Sequence, residues 1–117
     1  MEELASLPRH AAKSYSLFVL YFLLAKGPMS GYEVAQIIKE RSHGQFKATA
    51  GNVYPRLHEL REAGDVRAGE PEGGREKIVY EITEQGKRTL REGALKQRPL
   101  VAGLLEAIDH MLELTSP

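Results

Sequence analysis

The chain contains no cysteine. That excludes disulfides, thiolate zinc sites and cysteine nucleophiles, and it suits a reducing compartment. Net charge is also missing, because 16 basic and 16 acidic side chains cancel. A neutral chain does not hold nucleic acid through a broad basic field, so any such contact must rest on a local cluster, duplicated if two copies assemble. The longest uncharged apolar run covers only residues 17–25, well short of the ~20 residues that cross a bilayer. The first ten residues have no basic stretch followed by an apolar one, so neither a signal peptide nor a membrane partner is expected. His10, His43, His58 and His110 show no metal-ligand spacing, and no cofactor is expected. No nucleophile stands beside a base, and there is no phosphate loop and no recognisable pair of carboxylates, so an enzyme is not expected. Internal repeats and low-complexity tracts are absent.

What remains is a 117-residue chain with 42% hydrophobic and 27% charged residues, ordinary composition for one domain with a modest core. Its most informative stretch is TAGNVYPRLHELREAG, residues 49–64. Val53, Leu57 and Leu60 recur at helical spacing and predict one buried face. Asn52, Tyr54, Arg56, His58 and Arg61 fall largely outside that stripe. Thr49 is a candidate N-cap and Gly64 a candidate left-handed terminus. Pro55 breaks the pattern, since an interior proline costs about 3 kcal/mol. The helix is therefore expected to start after Thr49 or to carry a distorted first turn. A local rule broken on a polar surface points to a functional site; the plainer reading is that Pro55 only fixes the entry of the helix.

Residues 9–25 predict a helix with Leu17, Leu20, Tyr21 and Leu24 on one side and Phe18 and Phe22 on another. Being apolar nearly all round, it should be buried on more than one face, as a core helix or with one face meeting a partner subunit or ligand. Gly27-Pro28 ends it. Ser30-Gly31-Tyr32-Glu33 fits a capping box, and a second helix follows over residues 31–41. Two short helices joined by a tight linker, the second with a polar outer face, make a helix-turn-helix. Alternating runs over residues 65–70 and 75–82 flank the turn cluster Pro71-Glu72-Gly73-Gly74 and predict a hairpin, hence a wing. Thr83 can cap a last helix whose apolar stripe includes Leu90, Ala94, Val101, Leu104, Leu105, Ile108, Met111 and Leu112. Pro99 either kinks this helix or divides it in two. The stripe needs a cover, and a second copy of the chain is the expected one.

The segments GPMSGYEVAQIIKER, TAGNVYPRLHELREAGDV and GGREKIVYEITEQGKRTL, in that order and spacing, resemble the PadR family of winged helix-turn-helix transcriptional regulators. The resemblance implies an α+β, mostly α fold. Residues 9–83 would form the winged helix-turn-helix and residues 84–114 a C-terminal dimerisation helix. It further implies a cytoplasmic protein that binds operator DNA as a homodimer, usually to repress, and is released by a small-molecule effector or another signal. Family members dimerise through the C-terminal helix together with the first, which on this chain assigns Leu17, Tyr21, Val101, Leu104, Leu105, Ile108 and Leu112. The chain departs from the family in two ways. Thr49-Ala50-Gly51 replaces a Ser-Pro-Gly-like helix start, and the large C-terminal domain of longer members is not expected. The tryptophan-lined pocket of some short members cannot exist here in that form, since tryptophan is absent.

On this reading residues 51–63 enter the major groove. Thr49, Asn52 and Tyr54 contact phosphate or base edges, and Arg56 contacts guanine or phosphate. Lys47 meets phosphate beside the helix start. Arg75 and Lys77 on the wing reach the backbone or the minor groove. The bland alternatives are that Arg56 and Arg61 pair with Glu59 and Glu62 on a solvated face, that Tyr54 is structural, that Tyr32 supports the motif and that His58 is an ordinary surface histidine. DNA contact is favoured for Arg56 and ion pairing for Arg61. An effector would act by changing the spacing of the two recognition helices, or by filling a gap beside Tyr15, Phe18 and Phe22. A competing reading is a winged-helix protein-interaction module that does not bind DNA. It is kept open by the neutral charge and by Glu70, Glu72 and Glu76 around the wing.

Overall fold

The computed structural model describes residues 9–42, 49–70 and 77–117. The expectations for Lys47, Arg75 and the hairpin turn lie outside the described residues.

Helix α1 (Arg9–Lys26) supplies the middle of the core. Its inner face is Tyr15, Val19, Leu20, Phe22 and Leu23, all buried, while Phe18, Tyr21 and Leu24 are exposed. One face is thus covered in the single chain, not two, and the dividing line differs from the expected one: Leu20 and Phe22 share the inner side. The residues recur at 15, 19, 22 and 23, the spacing of one broad helical stripe. Burial pushes the Tyr15 hydroxyl up to about 12, against a smaller downward pull from the Arg56 guanidinium.

A two-residue strand, β1 (Met29–Ser30), follows, which the residue pattern does not predict. It adds an edge to the hairpin formed by β2 (Val66–Ala68) and β3 (Val79–Ile82), giving an antiparallel sheet of order β1-β3-β2. Met29 pairs with Tyr80, and Val66 with Ile82. Two residues show no alternation, so β1 carries no sequence signal of its own; partner β3 makes it a strand.

Helix α2 (Gly31–Arg41) opens with the expected capping box. The Glu33 amide donates to Ser30 Oγ at 3.2 Å, and the Ser30 amide donates to Glu33 Oε1 at 2.8 Å. That backbone donor is the main reason the Glu33 carboxyl titrates below its ordinary value, with the nearby Lys77 charge adding a lesser pull.

Helix α3 (Ala50–Ala63) begins at its first possible residue. Thr49 has the extended backbone of a cap, but its hydroxyl makes no capping bond. The Asn52 and Val53 amides both donate to the Thr49 carbonyl, at 3.0 and 2.9 Å. The first turn is therefore formed despite Pro55, which lies beyond it and removes the donor that would meet the Gly51 carbonyl. Gly64 terminates α3 at φ 88°, the left-handed conformation expected of it.

Helix α4 (Glu84–Leu114) runs unbroken through Pro99 and is capped by Thr83, whose Oγ1 accepts from the Gly86 amide at 3.0 Å. Of the two alternatives for Pro99, division into two helices is not what forms. Leu95, whose carbonyl loses its partner, is exposed, so water can serve it. Thirty-one residues make a rod of about 46 Å, and the molecule is accordingly elongated, 60 × 30 × 25 Å.

The cap gives a test. Ser30→Ala should cost about 1 kcal/mol in chemical denaturation. Glu33 has a lowered folded-state pKa, so its contribution is present above its unfolded value and is lost as pH falls through the folded one. Glu33→Gln should therefore flatten the stability loss of the wild-type chain on its acid side. An unchanged acid limb would show the carboxylate contributes nothing.

Candidate nucleic-acid interface

The polar surface is built where the starts of α2 and α3 meet β3. Val53 and Leu57 have no exposed surface at all, which fixes which side of α3 is inner. Tyr54 falls at the edge of that inner side, about a quarter turn on from Val53, and is 45% exposed. Its ring lies across the start of α2. A Cβ placed on Gly31 would come within 2.5 Å of Tyr54 Cε1. Gly31 is thus what lets the two helix starts approach.

Tyr54, Tyr32, Glu33 and Lys77 line a groove of about 610 Å³ with Ser30 and Tyr80. Tyr32 and Lys77 are exposed. The Gln36 side-chain amide donates to the Tyr32 hydroxyl at 3.1 Å, steadying that ring. Thr49, His58 and Arg61 are also exposed along α3.

Asn52 and Arg56 depart from expectation. Each is only 8% exposed, so both belong to the inner side of α3. The reason is that the inner face is wider than its apolar residues suggest. Positions 52, 53, 56, 57 and 60 form one continuous stripe, and α3 packs against both α1 and α2. The Arg56 stem is buried while its tip bonds the exposed Glu59 carboxylate at 2.9 Å. Its Nε has no hydrogen-bond partner among the described residues. In the single chain Arg56, for which the sequence favours DNA contact, thus pairs with Glu59, from a buried position and not from a solvated face.

The expected partner-facing residues all lie on open surface, except Leu17, which is half-buried. Tyr21, Val101, Leu104, Leu105, Ile108 and Leu112 are exposed in the single chain. Leu17 packs against Gly93, where α1 crosses α4. Tyr15 and Phe22 are core side chains, with Phe22 stacked on Phe18 at 6.1 Å between ring centroids. Phe18 itself lines an apolar cavity of about 300 Å³ with Tyr21, Leu90 and Val101. Among the described residues no cluster of histidine and carboxylate side chains could hold a metal ion, and no helix is long and apolar enough to cross a membrane.

Sequence reasoning missed one cluster. Asp65 is buried, and its carboxylate accepts from Gln85 and Thr89 of α4. The available signal was an acidic residue immediately after the glycine that ends α3 and directly before a strand.

A helix-turn-helix whose second helix presents a polar ridge, followed by a hairpin, defines the winged helix-turn-helix class. The model of the PadR-like family of transcriptional regulators matches residues 19–92, more than half of the chain, which therefore belongs to that family of regulators, not of enzymes. The chain is similar to the negative transcriptional regulator PadR of Bacillus subtilis, 28% identical over 85 residues covering 71% of this chain and 47% of that protein. It is also similar to the transcriptional regulator YqjI of Escherichia coli, 32% identical over 74 residues covering 63% of this chain and 35% of that protein. It thus spans less than half the length of these curated relatives. Among solved structures, the Thermoplasma acidophilum protein TA0346 is 30% identical with a TM-score of 0.66, covering 91% of this chain and 97% of that one. Bacillus subtilis PadR in complex with operator DNA is 30% identical with a TM-score of 0.59, covering 68% of this chain and 45% of that one.

Gly31→Ala should turn the Tyr54 ring aside rather than move the helices, because the ring edge is the softer partner. Stability should fall by no more than about 1 kcal/mol, while the Tyr54 ring-proton resonances shift. Unshifted resonances would show that the ring does not rest on Gly31.

Proposed function

We propose that the chain binds duplex DNA as a homodimer in the cytoplasm and represses transcription from a pseudo-palindromic operator, with α3 in the major groove. The observation that carries this is the convergence of Tyr54, Tyr32 and Lys77 on one open groove between the two helix starts and the wing strand. Support also comes from the related Bacillus subtilis protein, whose structure was solved with operator DNA. Thr49, Tyr54 and Lys77 contact the duplex, joined by Lys47 and Arg75. Asn52 and Arg56 hold α3 from within. Neutral net charge makes this a local contact, so affinity depends on a few residues presented twice.

The dimer forms through α4. Leu104, Leu105, Ile108 and Leu112 expose an apolar stripe along its far half, and a twofold copy of the same stripe is its natural cover. Val101 and Tyr21 extend that surface toward α1. A small-molecule effector releases DNA by altering the spacing of the two α3 helices.

Selection of bound sequences from random duplex DNA tests the reading directly. Recovery of a symmetric site is expected; recovery of none favours a protein partner instead. Lys77→Ala should lower the slope of log affinity against log salt by about one for each phosphate no longer neutralised, whereas Arg56→Ala should leave that slope unchanged and reduce stability. Tyr54→Ala should weaken binding roughly tenfold or more. Wild-type affinity in the Tyr54→Ala chain would remove that ring from the interface.

Paired Leu104→Glu and Ile108→Glu substitutions should convert the sedimenting species from dimer to single chain, because two carboxylates would be buried without partners. A dimer that survives them would place the interface elsewhere.

A further inference from the structure

Helices α3 and α4 scarcely pack on one another. Past the point where they meet, a cavity of about 450 Å³ opens between Glu59 and Leu60 on one side and Thr89, Glu92 and Lys96 on the other, with Leu17 of α1 beneath. Their direct connection is a hydrogen-bonded joint centred on Asp65, which is only 5% exposed. Asp65 Oδ1 accepts from Thr89 Oγ1 at 2.8 Å and from Gln85 Nε2 at 3.1 Å. The same Gln85 amide donates to the Ala63 carbonyl at 2.5 Å, at the end of α3. The Asp65 amide donates to the Leu60 carbonyl at 2.8 Å, and the Thr83 amide donates to the Asp65 carbonyl at 3.0 Å. Thr83 Oγ1 donates to the Gly64 carbonyl at 2.6 Å. Gly86 closes the joint, since a Cβ there would collide with the Asp65 carbonyl oxygen.

Near this end α4 also packs on α1, with Gly93 against Leu17, and its Leu90 reaches the core. Apolar side chains can slide over one another and re-pack, whereas directional hydrogen bonds fix an angle. We infer that Asp65 is a positioning residue for DNA recognition: by holding Gln85 and Thr89 it fixes the direction of α4 relative to α3, and so sets the half-site spacing that the dimer accepts. The inference rests on the proposed function, because it takes α4 as the dimer element and α3 as the reading helix. The lever makes the effect large. From Thr89 to Leu112, α4 spans about 35 Å, so a change of about 10° at the joint moves the far end by about 6 Å. That approaches two base-pair steps of ~3.4 Å.

The test uses the full chain. Half-sites found by selection are placed at a series of spacings, and affinity is measured for the wild type, Asp65→Ala and Asp65→Asn. Asparagine keeps the acceptor oxygen for Gln85 and Thr89 and should behave as wild type. The wild type should lose roughly tenfold or more in affinity for each base pair of spacing error, and Asp65→Ala roughly threefold or less. Should Asp65→Ala not fold, the pair Gln85→Ala with Thr89→Val removes the donors from the other side. Loss of stability alone would lower affinity at every spacing and leave the preference intact, which would overturn the inference.

A second measurement is independent of DNA. Because the chain has no cysteine, Glu62→Cys and Arg91→Cys can carry the only two spin labels, one on each helix. With labelled chains diluted in unlabelled ones, the distance distribution should be narrow in the wild type and broad in Asp65→Ala. Distributions equally narrow in both, or a spacing preference unchanged in a folded Asp65→Ala chain, would overturn the inference. A wild-type protein that ignores every duplex would overturn the proposed function, and with it the spacing claim, whatever the labels report.

Discussion

Helix α3 does not stand by its own propensity. Its 14 residues contain a proline whose missing amide costs about 3 kcal/mol, and isolated helices of this length are marginal in water. What holds it is burial: Val53, Leu57 and Leu60 are removed from solvent against α1 and α2. At about 1.5–3 kcal/mol for each buried side chain, the three together outweigh the proline. That burial also settles orientation. With Val53 and Leu57 facing inward, Tyr54 falls at the edge of the buried face, beside the groove that Lys77 lines.

The same burial reassigns the charges on α3. A helix gripped from two sides hides a wider face than its apolar residues mark, so Asn52 and Arg56 are drawn in. Arg56 tolerates this because its long stem is apolar and its tip reaches the exposed Glu59. The groove is left with tyrosines, a lysine and the Glu33 carboxylate. That composition agrees with a chain of zero net charge, which has no general electrostatic field of one sign.

The molecule divides its tasks along its length. The compact end packs three helices and a small sheet around Val19, Val34 and Val53. The extended end is a single rod with apolar side chains on open surface. Between them the Asp65 joint concentrates hydrogen bonds from the end of α3 and the flanks of β2 and β3 onto the first turns of α4. Such a buried polar cluster adds little net stability per bond, about 1 kcal/mol, yet its geometry is narrow. It is better suited to setting an angle than to holding the fold together.

Much of this was legible in one dimension. The helix periods, the Ser30–Glu33 cap, the Gly64 terminus, the Thr83 cap and the hairpin strands all depend on residues within a few positions of each other, and local sterics and hydrogen bonding decide them. The family signature likewise lies in short segments. Other features needed the chain to fold first. Strand β1 exists only because β3 lies beside it. Arg56 turned inward because two other helices claimed that side of α3. The Asp65 joint links residues 20 and 24 positions apart, farther than any helical or strand period reaches. Sequence alone settled what each segment would be; the packing of segments against one another decided which faces were left to meet anything else.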